Sequence, residues 1–121
     1  MDEQHWRSIL NNWFAGRSSD AIDRAWQHLK TRYSVDDEVT GVVVAKAQFG
    51  AWIEIEGFPA LLEIICMAEL TPERYQADDW CPIGSQVSGF IAGFKDNDRQ
   101  IVIYQVRPGR FTDQTGDLED R

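Results

Sequence analysis

Two periodicities divide the chain. Near the start, Trp6, Ile9, Leu10, Trp13 and Phe14 fall at i, i+3, i+4, i+7 and i+8. That spacing draws one apolar stripe along an amphipathic helix. Gly16 is a natural stop. Ser18, Ser19 and Asp20 then offer N-caps for a second helix, along which Ile22, Trp26, Leu29 and Tyr33 recur at helical spacing. The pattern predicts a helical hairpin over residues 3–33. Two short helices bury only part of such stripes against one another, so the rest needs a third surface.

From Val39 the period becomes two. The spacing predicts strands over residues 38–46, 51–56, 60–65, 86–94 and 100–106. The stretch GVVVAKAQFGAWIEIEG, residues 41–57, reads as a hairpin turning at Phe49 and Gly50. MAELTPERYQADDWCPIG forms a long connection between the third and fourth strands. KDNDR makes a turn rich in Asp and Asn, which tolerate turn conformations. Pro108 and Gly109 end the last strand. Five strands with one long excursion suggest a mainly β protein, a small closed Greek-key barrel of the OB type. Closure removes the strand edges that would invite aggregation. The expected divisions are a helical hairpin at 1–34, a barrel at 35–107 and an acidic, mobile tail at 108–121, where no apolar period continues.

Within the second strand, Ile53 and Ile55 alternate with Trp52, Glu54 and Glu56. Alternate strand residues face opposite sides, so isoleucines in the core put Trp52 on the outside beside two carboxylates. Outward Val102 and Tyr104, together with Phe90, form an apolar patch to which the helical hairpin is expected to dock, leaving the Phe49–Trp52 face open.

The ordered motifs VTGVVVAKAQFGAWIEIEGFPALLEI, then Gly84 with Val87, then IVI after a charged turn, resemble the S1 RNA-binding domain over residues 36–105. The resemblance implies a five-stranded OB barrel that binds single-stranded RNA by stacking bases on aromatic side chains. Carried onto this sequence, Phe49 matches the phenylalanine before the glycine and Trp52 the aromatic beyond it. Lys46 and Arg99 are the expected cations, and Glu63 stands where many members place a histidine. Other departures are Ser88 and Phe90 at positions that often hold lysine, and Tyr104 where a serine is usual. The family's final-turn arginine aligns with either Arg99 or Gln100. An exposed aromatic on a barrel face is a stacking platform for an unpaired base.

Charge complicates that expectation. The net charge is −8 in 121 residues. Residues 1–33 hold five Lys/Arg against four Asp/Glu, whereas residues 34–107 hold five against twelve. A field of that sign repels polyanions and favours basic partners. A protein-binding adaptor, or an inhibitor imitating nucleic acid before a basic partner, therefore stands beside the RNA reading. A third reading makes Trp52 a packing residue beneath the helices.

Little points to catalysis. No Gly-rich phosphate loop or nucleophile with a sequence-coded partner occurs, and Glu54, Glu56 and Glu63 read as a solvated strand face. Cys66 and Cys81 are too far apart for a C-x-x-C site and read as reduced thiols. No cofactor or metal is expected. No run approaches the ~20 apolar residues a membrane helix needs, and the N-terminus is not a secretory signal. The expectation is a cytoplasmic, non-enzymatic binding module.

Overall fold

The computed structural model describes residues 3–68 and 82–106. Two helices, α1 (Glu3–Asn11) and α2 (Ser19–Arg32), precede five strands: β1 (Glu38–Ala47), β2 (Gly50–Ile55), β3 (Phe58–Glu63), β4 (Gln86–Lys95) and β5 (Gln100–Tyr104). The strands close into a barrel in the order β1-β2-β3-β5-β4. The pairings are antiparallel except that between β3 and β5. The chain is thus an S1-type OB barrel carrying two N-terminal helices. The predicted tail at 108–121 and most of the β3–β4 connection lie outside the described residues.

The local chemistry explains the strand joints. The β2–β3 turn places both Glu56 (φ 51°) and Gly57 (φ 88°) in the left-handed region, as a two-residue turn matching strand twist requires. At Gly50 the reason is space. A Cβ there would lie 2.5 Å from the Leu62 carbonyl oxygen and 2.8 Å from Glu63 Cα, so only glycine lets β2 close against β3. The Phe-Gly pair of the sequence therefore marks a backbone crossing. Bulges between Val43 and Ala45 and between Ile91 and Gly93 bend β1 and β4 around the barrel.

The core is filled by the inward positions: Val39, Val43, Ile53, Ile55, Leu62, Ile91, Ile101 and Ile103 are all buried. The second helix closes one end of it. Ser18 caps α2 by accepting from Ala21 N (3.1 Å), and the helix buries Ile22, Trp26 and Leu29. Trp26 meets Phe58 at 5.2 Å and Phe94 at 5.8 Å between ring centroids. Its indole N–H donates to Asp96 Oδ1 (2.9 Å), which also accepts from Lys30 Nζ (2.7 Å). Arg32 and Tyr33 both donate to Glu56. So α2 is fastened to the β2–β3 turn and the β4–β5 turn, two neighbouring rims of one barrel end.

Two expectations need correction. The first helix stops at Asn11, so Trp13 and Phe14 lie in the turns that follow rather than on the helix. They still face the barrel: Trp13 Nε1 donates to Gly57 O (2.8 Å) and Phe14 meets Phe58 at 5.8 Å. The helices also do not use the patch of Phe90, Val102 and Tyr104. Phe90 stays 37% exposed and pairs with Tyr104 at 5.7 Å. The end of the barrel wins because it offers α2 a flat apolar face, Phe58 and Phe94, ringed by polar partners at two turns.

Candidate nucleic-acid interface

The aromatic site begins in β1 and β2. The tight crossing at Gly50 throws Phe49 outward at the tip of the hairpin, 42% exposed, while its carbonyl accepts from Ile64 N (2.9 Å). Trp52 stands outside the barrel wall between the inward Ala51 and Ile53, as the alternation predicts. It is nevertheless only 4% exposed. The cover is α1. Trp6 stacks on Trp52 at 6.1 Å and 23°, and meets Phe49 edge-on at 5.4 Å. Glu3 holds that helix in place, accepting from Trp6 Nε1 (2.9 Å) and Gln48 N (3.4 Å). The expected open Phe49–Trp52 face is thus half covered: Phe49 stays outside, and the half-buried Trp6 lies between Trp52 and solvent. Stacking and exclusion of water favour this docking, because an indole left bare would expose one of the largest apolar surfaces a side chain has.

The polar candidates separate. Lys46 is buried in β1, 6% exposed, rather than facing solvent. Arg99 turns to α2, where its Nε donates to Asp23 Oδ1 (2.7 Å) and its Nη2 reaches the same oxygen. Lys46 is thus turned from solvent, and Arg99 is engaged by α2. Glu63 is half-buried at the end of β3, opposite Gly50, and so beside the Phe49 turn. Phe49, Trp52 and Glu63 are brought together; Arg99 is not.

Two further cations lie beside the aromatic groups. The Arg7 guanidinium stands 5.0 Å over the Trp6 ring, and that of Arg17 stands 5.5 Å over the Phe14 ring. Both arginines are exposed. Between the helical segment and the barrel lies a cleft of about 410 Å³, whose lining includes Trp6, Trp13, Phe14, Trp52 and Gln100. The sequence carried the signal for these aromatics in the first helical stripe, but periodicity assigns a stripe to packing and does not say against which surface.

Titration follows the same geometry. The hydrogen bonds from Arg32 and then Tyr33 hold the Glu56 carboxyl below the usual range, and those from Lys30 and then Trp26 do so for Asp96. Burial, and then Glu63, push the Cys66 thiol up, so it stays neutral. Among the described residues no group of His, Cys, Asp and Glu is arranged to hold a metal, and no helix is long and apolar enough to cross a membrane.

No known protein family matches the sequence, and no curated protein does. Solved structures do match. The protein MJ1198 of Methanocaldococcus jannaschii is 20% identical at a TM-score of 0.51, over 61% of this chain and 93% of its own. GSP13 of Bacillus subtilis is 17% identical at 0.52, over 74% and 64%. A chain of the a/eIF2alpha–aDim2p–rRNA complex from Pyrococcus horikoshii is 16% identical at 0.53, over 69% and 50%. This chain therefore spans less than two thirds of the latter two. At these identities the likeness defines the fold, an S1-type OB barrel, and leaves activity to the residues themselves.

Proposed function

We propose that the protein is a nucleic-acid-binding module that takes up single-stranded RNA on an aromatic surface shared between the barrel and α1. One observation carries the reading: Phe49, 42% exposed, sits at the tip of the β1–β2 hairpin against Trp6 and Trp52. Exposed rings on a barrel face suit unpaired bases, each stack contributing about 1–3 kcal/mol. Arg7 and Arg17 bring exposed cations beside the aromatic groups, and phosphate contacts of that kind supply most sequence-independent affinity. The rRNA named with one structural neighbour is consistent with this use of the fold.

Titrating labelled single-stranded RNA against the full chain at low salt tests the reading by anisotropy. Phe49→Ala is expected to weaken binding roughly tenfold, and Arg7→Ala to weaken it and flatten its salt dependence. No binding of the wild-type chain at about 20 mM salt, where charges reach furthest, ends the RNA reading.

A second reading is favoured by a separate observation. With Lys46 buried and Arg99 paired to Asp23, the barrel turns few cations and many carboxylates to solvent. Such a surface suits a basic protein partner, for which the module would act as an adaptor or inhibitor. Association with a basic protein that survives Phe49→Ala, together with absent RNA binding, selects it.

A further inference from the structure

The cleft beneath α1 has the makings of a second, more selective site. Its walls are rings: Trp6 and Trp52 from one side, Trp13 and Phe14 from the turn after α1. Its polar lining comes from the end of the β4–β5 turn, where Asp98 and Gln100 enter the same cleft. Gln100 is 8% exposed. Trp52 Nε1 is a buried donor without a hydrogen-bond partner among the described residues. An unmade hydrogen bond at a buried indole is costly, and Gln100 and Asp98 add polar groups to an otherwise apolar cleft, as ligand sites do.

The charges around the cleft narrow the ligand. Guanidinium groups already stand over Trp6 and Phe14, so a cation entering among these rings meets like charge. A planar ligand carrying an anion at one end fits instead: rings for its faces, Arg7 and Arg17 for its phosphate. Asp98 is an exposed carboxylate that accepts hydrogen bonds only. Of the common bases, guanine alone offers two adjacent donors, N1–H and N2–H, to such a group. Adenine, cytosine and uracil would turn at least one acceptor toward it.

We propose that this cleft is a guanine-selective nucleotide site, in which Asp98 and Gln100 read the edge of one base held among Trp6, Trp13 and Trp52. The proposal deepens the RNA-binding reading and rests on it for the origin of the base as part of a strand. The same chemistry would also hold a free guanine nucleotide.

The test uses the full chain labelled with ¹⁵N, following the indole N–H signals of Trp6, Trp13 and Trp52. The probes are 5′-GMP, 5′-UMP, a short oligouridine and the same oligomer with one central guanosine. GMP should shift the three indoles saturably, with affinity at least tenfold above UMP, and the guanosine-containing oligomer should gain similarly over oligouridine. Asp98→Asn, a change at an exposed turn residue, should remove most of that preference, read as the ratio of GMP to UMP affinity within each protein. If GMP is preferred and neither oligomer binds, the site stands as one for free nucleotide and the RNA reading falls. If both oligomers bind equally and GMP matches UMP, the RNA reading stands and the guanine site is overturned. Equal preference in wild type and Asp98→Asn also overturns it, as does the absence of any binding.

Discussion

Trp6 lies over Trp52, ring on ring at 6.1 Å and 23°, so the aromatic that the second strand turns outward is covered by the first helix. Aromatic pairs of this kind contribute about 0.5–1.5 kcal/mol beyond the area they bury. Replacing Trp6 by Ala should therefore cost about 1–3 kcal/mol in urea denaturation. It should also expose Trp52, seen as a red shift in tryptophan emission. An unchanged spectrum would mean that Trp52 is shielded by something other than α1.

The two helices should differ in how far the barrel depends on them. Among the described residues α1 has no fully buried member, whereas α2 buries Ile22, Trp26 and Leu29 and seals Phe58 and Phe94. Removing residues 1–12 should leave a folded, soluble protein with a lowered Tm. Removing residues 1–33 should give aggregation or loss of cooperative unfolding, because several large apolar groups would meet water at about 1.5–3 kcal/mol each. A barrel that survives the longer truncation with its Tm intact would refute the role given to α2. Trp26→Ala alone should cost about 3–5 kcal/mol.

Much of this architecture was legible beforehand, and the reasons are specific. The barrel announces itself through inward positions such as Ile53, Ile55, Ile101 and Ile103, whose period of two is fixed by the pleat. Gly50 and the Glu56–Gly57 turn are local requirements and can be read locally. The destination of the helices was different. Periodicity gives Trp6, Trp26 and Leu29 an apolar face, but the choice between the Phe90–Tyr104 patch and the barrel end depends on polar partners at Glu56, Asp96 and Arg99. Those meet α2 only after the chain has folded. The burial of Lys46 and the pairing of Arg99 with Asp23 were hidden for a related reason: a residue type carries a charge, and its surroundings decide where that charge is used.

Gly50→Ala should be among the more damaging single-methyl additions. The new Cβ would press on backbone atoms of Leu62 and Glu63 that have no room to retreat. A loss of roughly 1–3 kcal/mol is expected from the overpacking, read from the urea midpoint. A variant as stable as wild type would show that the β2–β3 crossing is looser than its geometry implies.

Acid should loosen the attachment of α2. Glu56 and Asp96 have folded-state values below the ordinary carboxylate, through Arg32 with Tyr33 and through Lys30 with Trp26. Their contribution is complete above the unfolded value of about 4 and fades as pH falls through the lowered folded values. The Tm should hold steady from about pH 7 to pH 5 and drop below about pH 4. Glu56→Gln should lower the neutral-pH Tm slightly and make the acid limb shallower. An acid limb of unchanged steepness would assign the loss to other carboxylates.

The bonds from α2 to the β4–β5 turn join residues 66 to 76 positions apart: Lys30 and Trp26 to Asp96, and Arg99 to Asp23. During synthesis the turn that receives the helix emerges only after the barrel strands between them. At about 5–20 residues per second, the apolar side of α2 waits roughly 3–15 s for its seat. Through that interval Ile22, Trp26 and Leu29 have no native cover, and the nascent chain is a client for whatever holds sticky helices at the ribosome exit.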